Sequence, residues 1–231
     1  RYEEAVAAFE KALEIKPDLH DIWINKGNVL IKLERYEEAV AAFEKALEIK
    51  PDFHYAWNGK GNALRNLERY EEAIAAYEKA LEIKSDSHYA WDNKGDALRN
   101  LERYEEAVAA YEKALEIKPD FHYAWDNKGY ALINLERYEE AVFAYDKAVE
   151  IKPDFHYGWH NKGEVLRELE RYEEAIAAYK KALEIKPDFH EAWRNKGDAL
   201  FYLKRYEEAI AAVEKALEIQ PDLHYAWNNK G

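Results

Sequence analysis

Apolar residues recur along this chain at spacings of three and four, in two alternating stripes. The stretch 88–121, HYAWDNKGDALRNLERYEEAVAAYEKALEIKPDF, carries both. In its first half Ala90, Trp91, Gly95, Ala97, Leu98 and Leu101 share one side of a 3.6-residue period, which predicts a helix over about 88–101. In its second half Tyr104, Ala107, Val108, Tyr111, Ala114 and Leu115 predict another over about 103–117. Pro119 follows as a stop signal. Asp86, like Asp52, Asp120, Asp154, Asp188 and Asp222 in the other copies, stands where it would cap the first helix. Neither helix can bury its stripe alone, so the pairs must stack.

The same stretch returns every 34 residues. The RYEEA block begins at Arg1, Arg35, Arg69, Arg103, Arg137, Arg171 and Arg205, and Trp23, Trp57, Trp91, Trp125, Trp159, Trp193 and Trp227 keep the same interval. A period of this length marks a solenoid of helix pairs. The expected organisation is one all-α solenoid over 1–231. Residues 1–19 would be the second helix of a truncated repeat, 20–223 six full repeats, and 224–231 the start of another first helix. No polar capping helix stands at either end, so exposed apolar end faces and end-to-end self-association are expected.

Composition changes this picture little. The chain has no cysteine, which excludes disulfides and thiolate metal sites, and no uncharged apolar run long enough to span a bilayer. No signal peptide is expected, and a cytoplasmic protein is. Methionine is absent, at residue 1 as elsewhere, so a segment of a longer protein is expected. The net charge of −13 is built into the repeat, where Glu102, Glu105, Glu106, Glu112, Glu116 and Asp120 face Lys94, Arg103, Lys113 and Lys118. Spread evenly in this way, it argues against nucleic-acid binding, which needs clustered Lys and Arg.

Counting His88 as place one, tryptophan falls at place four, glycine at eight, leucine at eleven, Ala107 at twenty, Tyr111 at twenty-four, Ala114 at twenty-seven and Pro119 at thirty-two. With these residues the unit resembles the tetratricopeptide repeat, over the whole chain. The resemblance implies a right-handed superhelix of antiparallel helix pairs, with a concave groove lined by the first helices. Two places depart from the family's pattern. Place seven is lysine (Lys26, Lys60, Lys94, Lys128, Lys162, Lys196, Lys230), and place fifteen is mostly glutamate, as at Glu102. The tryptophans, and the tyrosine after each arginine, are expected in the core.

Seven internal copies show where the chain varies: the second helix hardly changes, whereas places two, five, nine, twelve and thirteen of the first do. The resemblance puts those places in the groove. Its candidate residues are Tyr55, Asn58, Asn62 and Arg65, then Tyr89, Asp92, Asp96 and Arg99, then Tyr123, Asp126 and Tyr130, then Tyr157, Glu164 and Arg167, and lastly Arg194 and Asp198. Place six adds Asn25, Asn93, Asn127, Asn161 and Asn195, with Gly59 the exception. Such amides donate and accept. They suit either an extended peptide's backbone, similar to the asparagine ladder of O-GlcNAc transferases, or a bond to the neighbouring repeat that sets its pitch. Place five is never lysine, which speaks against the carboxylate clamp of chaperone-binding relatives.

No metal centre or cofactor is expected. The one row with ligand spacing is His156, His160 and Glu164, at i, i+4 and i+8, which suits Zn²⁺ or Ni²⁺. Phosphate-binding glycine loops, nucleophile elbows and cysteine nucleophiles are missing, so the chain is read as no enzyme. The function expected is a protein-interaction scaffold holding an extended peptide or partner helix. A regulatory or substrate-recruiting arm of a larger enzyme and a self-stacking structural module are the alternatives.

Overall fold

The computed structural model describes residues 1–221. The expected start of a first helix at 224–231, with His224, Trp227, Asn229 and Lys230, lies outside them. The chain divides into two compact units, Arg1–Pro119 and Asp120–Gly231. The described part of the first contains α1 (Tyr2–Ile15), α2 (His20–Lys32), α3 (Tyr36–Ile49), α4 (His54–Asn66), α5 (Tyr70–Ile83), α6 (His88–Asn100) and α7 (Tyr104–Ile117). The described part of the second contains α8 (His122–Asn134), α9 (Tyr138–Ile151), α10 (His156–Glu168), α11 (Tyr172–Ile185), α12 (His190–Tyr202) and α13 (Tyr206–Ile219). Only helices and turns occur among the described residues. The even-numbered helices are the first helices of the repeat and the odd-numbered ones the second.

Within the units, α3, α5, α9 and α11 each pack against the first helix before and the one after; α5, for example, lies between α4 and α6, and α11 between α10 and α12. Burial on two sides widens the apolar arc, so Ala42, Ala76, Ala144 and Ala178 are buried although the single-stripe reading leaves this place out. The largest buried side chains are Phe43, Tyr77, Tyr111, Tyr145 and Tyr179, all on second helices. The first helices meet these rings with glycine: a Cβ on Gly95 would fall 2.5 Å from Cε1 of Tyr111, and one on Gly59 equally close to the ring of Phe43. Gly59 is also the place at which the asparagine series breaks.

Two core expectations are corrected. The tyrosine after each arginine is at best half-buried, as at Tyr70, Tyr104 and Tyr138, and exposed at Tyr2 and Tyr206. The tryptophans are half-buried too, because the indole packs on the core with one edge, as Trp57 and Trp91 do against Ala80, Leu81 and Ala90, while the other edge binds backbone. Nε1 of Trp23, Trp57, Trp159 and Trp193 donates to the carbonyl of Pro17, Pro51, Pro153 and Pro187 at 2.8–3.0 Å. Trp91 does the same to Ser85. In these five copies the ring fastens the first helix to the turn that precedes it.

The capping expectation also changes. The residue at the helix boundary is the one after the aspartate: Leu19, Phe53, Phe121, Phe155 and Phe189 offer no side-chain cap, and only Ser87 accepts a bond, from the Ala90 amide. The aspartate lies in the turn itself, where Phe155 N–H returns to the Lys152 carbonyl and Pro153 opens the bend. Between first and second helix, the Arg103 amide bonds Leu98 O at 2.9 Å and the Glu102 amide bonds Arg99 O at 3.0 Å, the paired bonds of a Schellman end. The motif needs a left-handed residue, and Glu34, Glu68, Glu102, Glu136, Glu170 and Lys204 all take φ of 58–60°.

Candidate interaction surface on the first helices

The varying places of the first helices form a surface in each unit. In the first unit Tyr55 and Tyr89 are 60% and 57% exposed, and their rings lie tilted on His54 and His88 at 4.0 Å between centroids. Beside them, Arg65 on α4 bonds Oδ2 of Asp96 on α6 at 2.5 Å, and Asp96 Oδ1 accepts from the buried Tyr111 hydroxyl at 3.0 Å. Arg99 stands 3.6 Å from the same carboxylate. One repeat earlier, Asn62 accepts from Tyr77 at 2.8 Å. The second helices therefore reach through the core and hold place nine from beneath. Asn93 donates to Oδ1 of Asn58, one repeat back, at 3.3 Å. Asn25 is exposed, and Asp92 is buried.

In the second unit Tyr123, Tyr130 and Tyr157 are exposed. Tyr123 and Tyr157 are bridged by Phe155, 5.9 Å from the first and 6.4 Å from the second. The polar part is a chain of bonds. Asn161 donates to Asp126 at 3.1 Å, and Asn195 donates to Nε2 of His160 and to Oε1 of Glu164, both at 3.1 Å. Arg194 donates through Nε and Nη2 to Asn195 Oδ1 at 3.2 Å. Arg167 lies 3.9 Å from Asp198, repeating the Arg65–Asp96 relation more loosely. Burial raises the Asp198 pKa, with Arg167 and Arg194 opposing it. Asn127 is half-buried.

The structure thus brings the aromatic and charged candidates to one face within each unit. Asn93, Asn161 and Asn195 spend their amide donors on the preceding repeat. Asn195 is 1% exposed and Asp92 8%, so these two belong to the interior of the stack rather than to an open groove. Of His156, His160 and Glu164, His160 Nδ1 lies 3.8 Å from a Glu164 oxygen, but the three do not converge as a set. Nε2 of His160 takes the Asn195 bond, the His156 ring packs edge-on against Phe189 at 5.2 Å, and among the described residues no such trio is arranged to hold a metal ion. Two features lay beyond sequence reasoning: the tyrosine-to-place-nine bonds, and the pairing of arginine at place twelve with the acid at place nine of the next repeat. The fifteen-residue offset between Tyr111 and Asp96 was a signal for the first.

Helix hairpins of one length, repeated every 34 residues with a buried aromatic ring on most second helices, define a helical-repeat solenoid. Models of the tetratricopeptide repeat match residues 24–88 and 160–224, and in a second version 1–19, 88–121 and 122–155. The chain belongs to the tetratricopeptide repeat family. No curated protein sequence matches it. Among solved structures it is similar to YrrB, described as a TPR protein with an unusual peptide-binding site, at 28% identity and a TM-score of 0.70. That match covers 83% of this chain and 98% of YrrB. Pseudomonas aeruginosa pilF (18% identity, TM-score 0.77, 91% and 96% covered) and MamA (23%, 0.67, 70% and 94%) share the fold. Among the described residues no helix is long and apolar enough to cross a membrane.

Proposed function

We propose that this chain is a non-catalytic interaction scaffold that binds an extended peptide or a partner helix along the first helices. The observation that carries the reading is the open aromatic edge, Tyr55 and Tyr89 in one unit and Tyr123 and Tyr157 in the other, beside half-buried Arg65, Asp96, Arg99, Arg167 and Asp198. Exposed tyrosines supply large contact area at small entropic cost, and charges already half out of water supply direction. The peptide-binding site reported for YrrB, a relative matched over most of both chains, supports the same reading. Asn93, Asn161 and Asn195 serve mainly to hold successive repeats in register.

The test is selection from a displayed random-peptide library, followed by fluorescence anisotropy on the strongest binder. Tyr123→Ser combined with Tyr157→Ser should weaken it by about tenfold or more while the far-ultraviolet spectrum stays unchanged. A library that yields no binder, or a binder indifferent to those tyrosines and to Tyr55→Ser with Tyr89→Ser, rejects the reading.

A further inference from the structure

In four described copies the lysine at place seven is closed off by a carboxylate of the chain itself. Lys26 meets Glu10 at 2.9 Å, Lys60 meets Glu44 at 2.8 Å, Lys94 meets Glu78 at 2.7 Å, and Lys162 meets Asp146. Each amine also lies 5.4–5.6 Å above the tryptophan three residues before it. The carboxylate is shared. Arg35, Arg69, Arg103 and Arg171, which open the next second helix, have their pKa raised first by the bond to the glutamate three residues on, and further by Glu10, Glu44, Glu78 and Asp146 respectively.

On α11 that place belongs to Lys180. Among the described residues neither Lys180 nor Lys196 has a carboxylate at ion-pair distance, and Lys196 lies nearer its tryptophan, 4.6 Å above Trp193. Burial, and then the Lys180 charge, lower the Lys196 pKa. Arg205 keeps its bond to Glu208 but has no acid reaching it from α11's place twenty-five. Where Lys94 and Arg103 face Glu78, Glu106 and Glu71, here Lys180, Lys196 and Arg205 face Glu208 and Glu173. Lysine in place of the acid shifts the local balance by two charges and leaves one positive charge in excess, on a chain whose net charge is −13.

We infer that Lys180, Lys196 and Arg205 receive an aspartate or glutamate side chain of a partner protein, seated over Trp193 where the other copies seat their own carboxylate. Four intramolecular occupants already show the chemistry that this cradle accepts, and its charge complements an acid. The surface is separate from the peptide-binding face: at 100° per residue, place seven lies about 170° around the helix from the mean of places two, five, nine, twelve and thirteen. Failure of one proposal therefore leaves the other standing.

The probe is a fluorescein-labelled tetraglutamate peptide, followed by anisotropy in about 20 mM salt, where exposed charges are least screened. The wild-type chain should bind it. Lys180→Glu, which rebuilds the pattern of the other copies, should weaken binding by about tenfold and raise the melting temperature. Lys180→Gln should weaken it less. Lys113→Glu makes the same change of charge at the Lys113–Glu116 pair in the first unit and should leave binding unchanged. Absence of wild-type binding, equal weakening by Lys113→Glu, or binding of a tetraphosphoserine peptide with none of tetraglutamate overturns the inference.

Discussion

The side-chain amide of Asn195 donates to Nε2 of His160 at 3.1 Å, and both residues are buried. On the other side of the ring, Nδ1 of His160 faces Asn161 Oδ1 at 3.4 Å. The second amide hydrogen goes to Glu164 and the oxygen to Arg194, so every polar atom of the Asn195 side chain is used. This one residue joins α10 to α12.

Asn195→Ala should therefore cost about 1–3 kcal/mol, since it leaves the His160 nitrogen inside the stack with no donor. Chemical unfolding followed by tryptophan fluorescence measures the loss. Asn25→Ala, at the exposed end of the same series, should change stability by less than about 0.5 kcal/mol.

Tyr111 and Tyr179 occupy equivalent places, yet only one hydroxyl is satisfied. Tyr111 donates to Asp96, whereas the Tyr179 hydroxyl has no partner because Glu164 turns to Asn195 instead. Tyr111→Phe should cost about 0.5–1.5 kcal/mol, and Tyr179→Phe should be neutral or slightly stabilising. The same unfolding curves compare them, and equal losses would contradict the geometry.

The left-handed glutamates give a stabilising substitution. Glu102 holds φ of 59°, which strains any residue with a Cβ. Glu102→Gly relieves that strain at some cost in unfolded-chain entropy, for a net gain of about 0.5–1 kcal/mol. Glu102→Val should lose stability, and the difference in thermal midpoint between the two reads the turn directly.

The pH dependence follows from six repeated pairs. Glu38, Glu72, Glu106, Glu140, Glu174 and Glu208 are held below the ordinary 4.5 by the hydrogen bond from the arginine three residues earlier. A lowered carboxylate contributes stability that is fully present above its unfolded pKa and lost as pH falls through the folded one. Asp198 acts oppositely: raised above 3.8 by burial, it contributes below that value and loses its contribution as pH rises through its folded pKa. Burial also holds His54 and His156 below 6.5, so their contribution is lost as pH falls through that value; calorimetry should therefore show a midpoint that declines gently below about pH 6.5 and further below about 4.5. Asp198→Asn should raise the midpoint at pH 7 and leave the acid limb in place.

Much of the architecture was legible because each copy repeats the others. The period, the helix pairs and the open tyrosine edge could be read from Trp91, Gly95, Tyr111 and the varying places without coordinates. The tryptophans were misjudged because apolar spacing reports which side of a helix faces inward, not that an indole N–H will leave the core to bind a proline carbonyl. Asp86 looked like a cap because its type suits the position; its one-residue offset depends on the turn geometry that Ser85 and the prolines set.

The sequence by itself determined that this is an array of helical hairpins with one variable face, since burying two apolar stripes per repeat has a single economical solution. Only the tertiary structure decided what the variable polar residues do. Asn195, Asp92 and His160 became interior while Tyr89 and Tyr157 stayed open, because hydrogen bonds between repeats join residues about 35 positions apart, as in the Asn93–Asn58 pair, and no local spacing records which of them will meet. The excess positive charge around Lys196 has the same cause: folding sets Lys196 near Lys180 and Arg205.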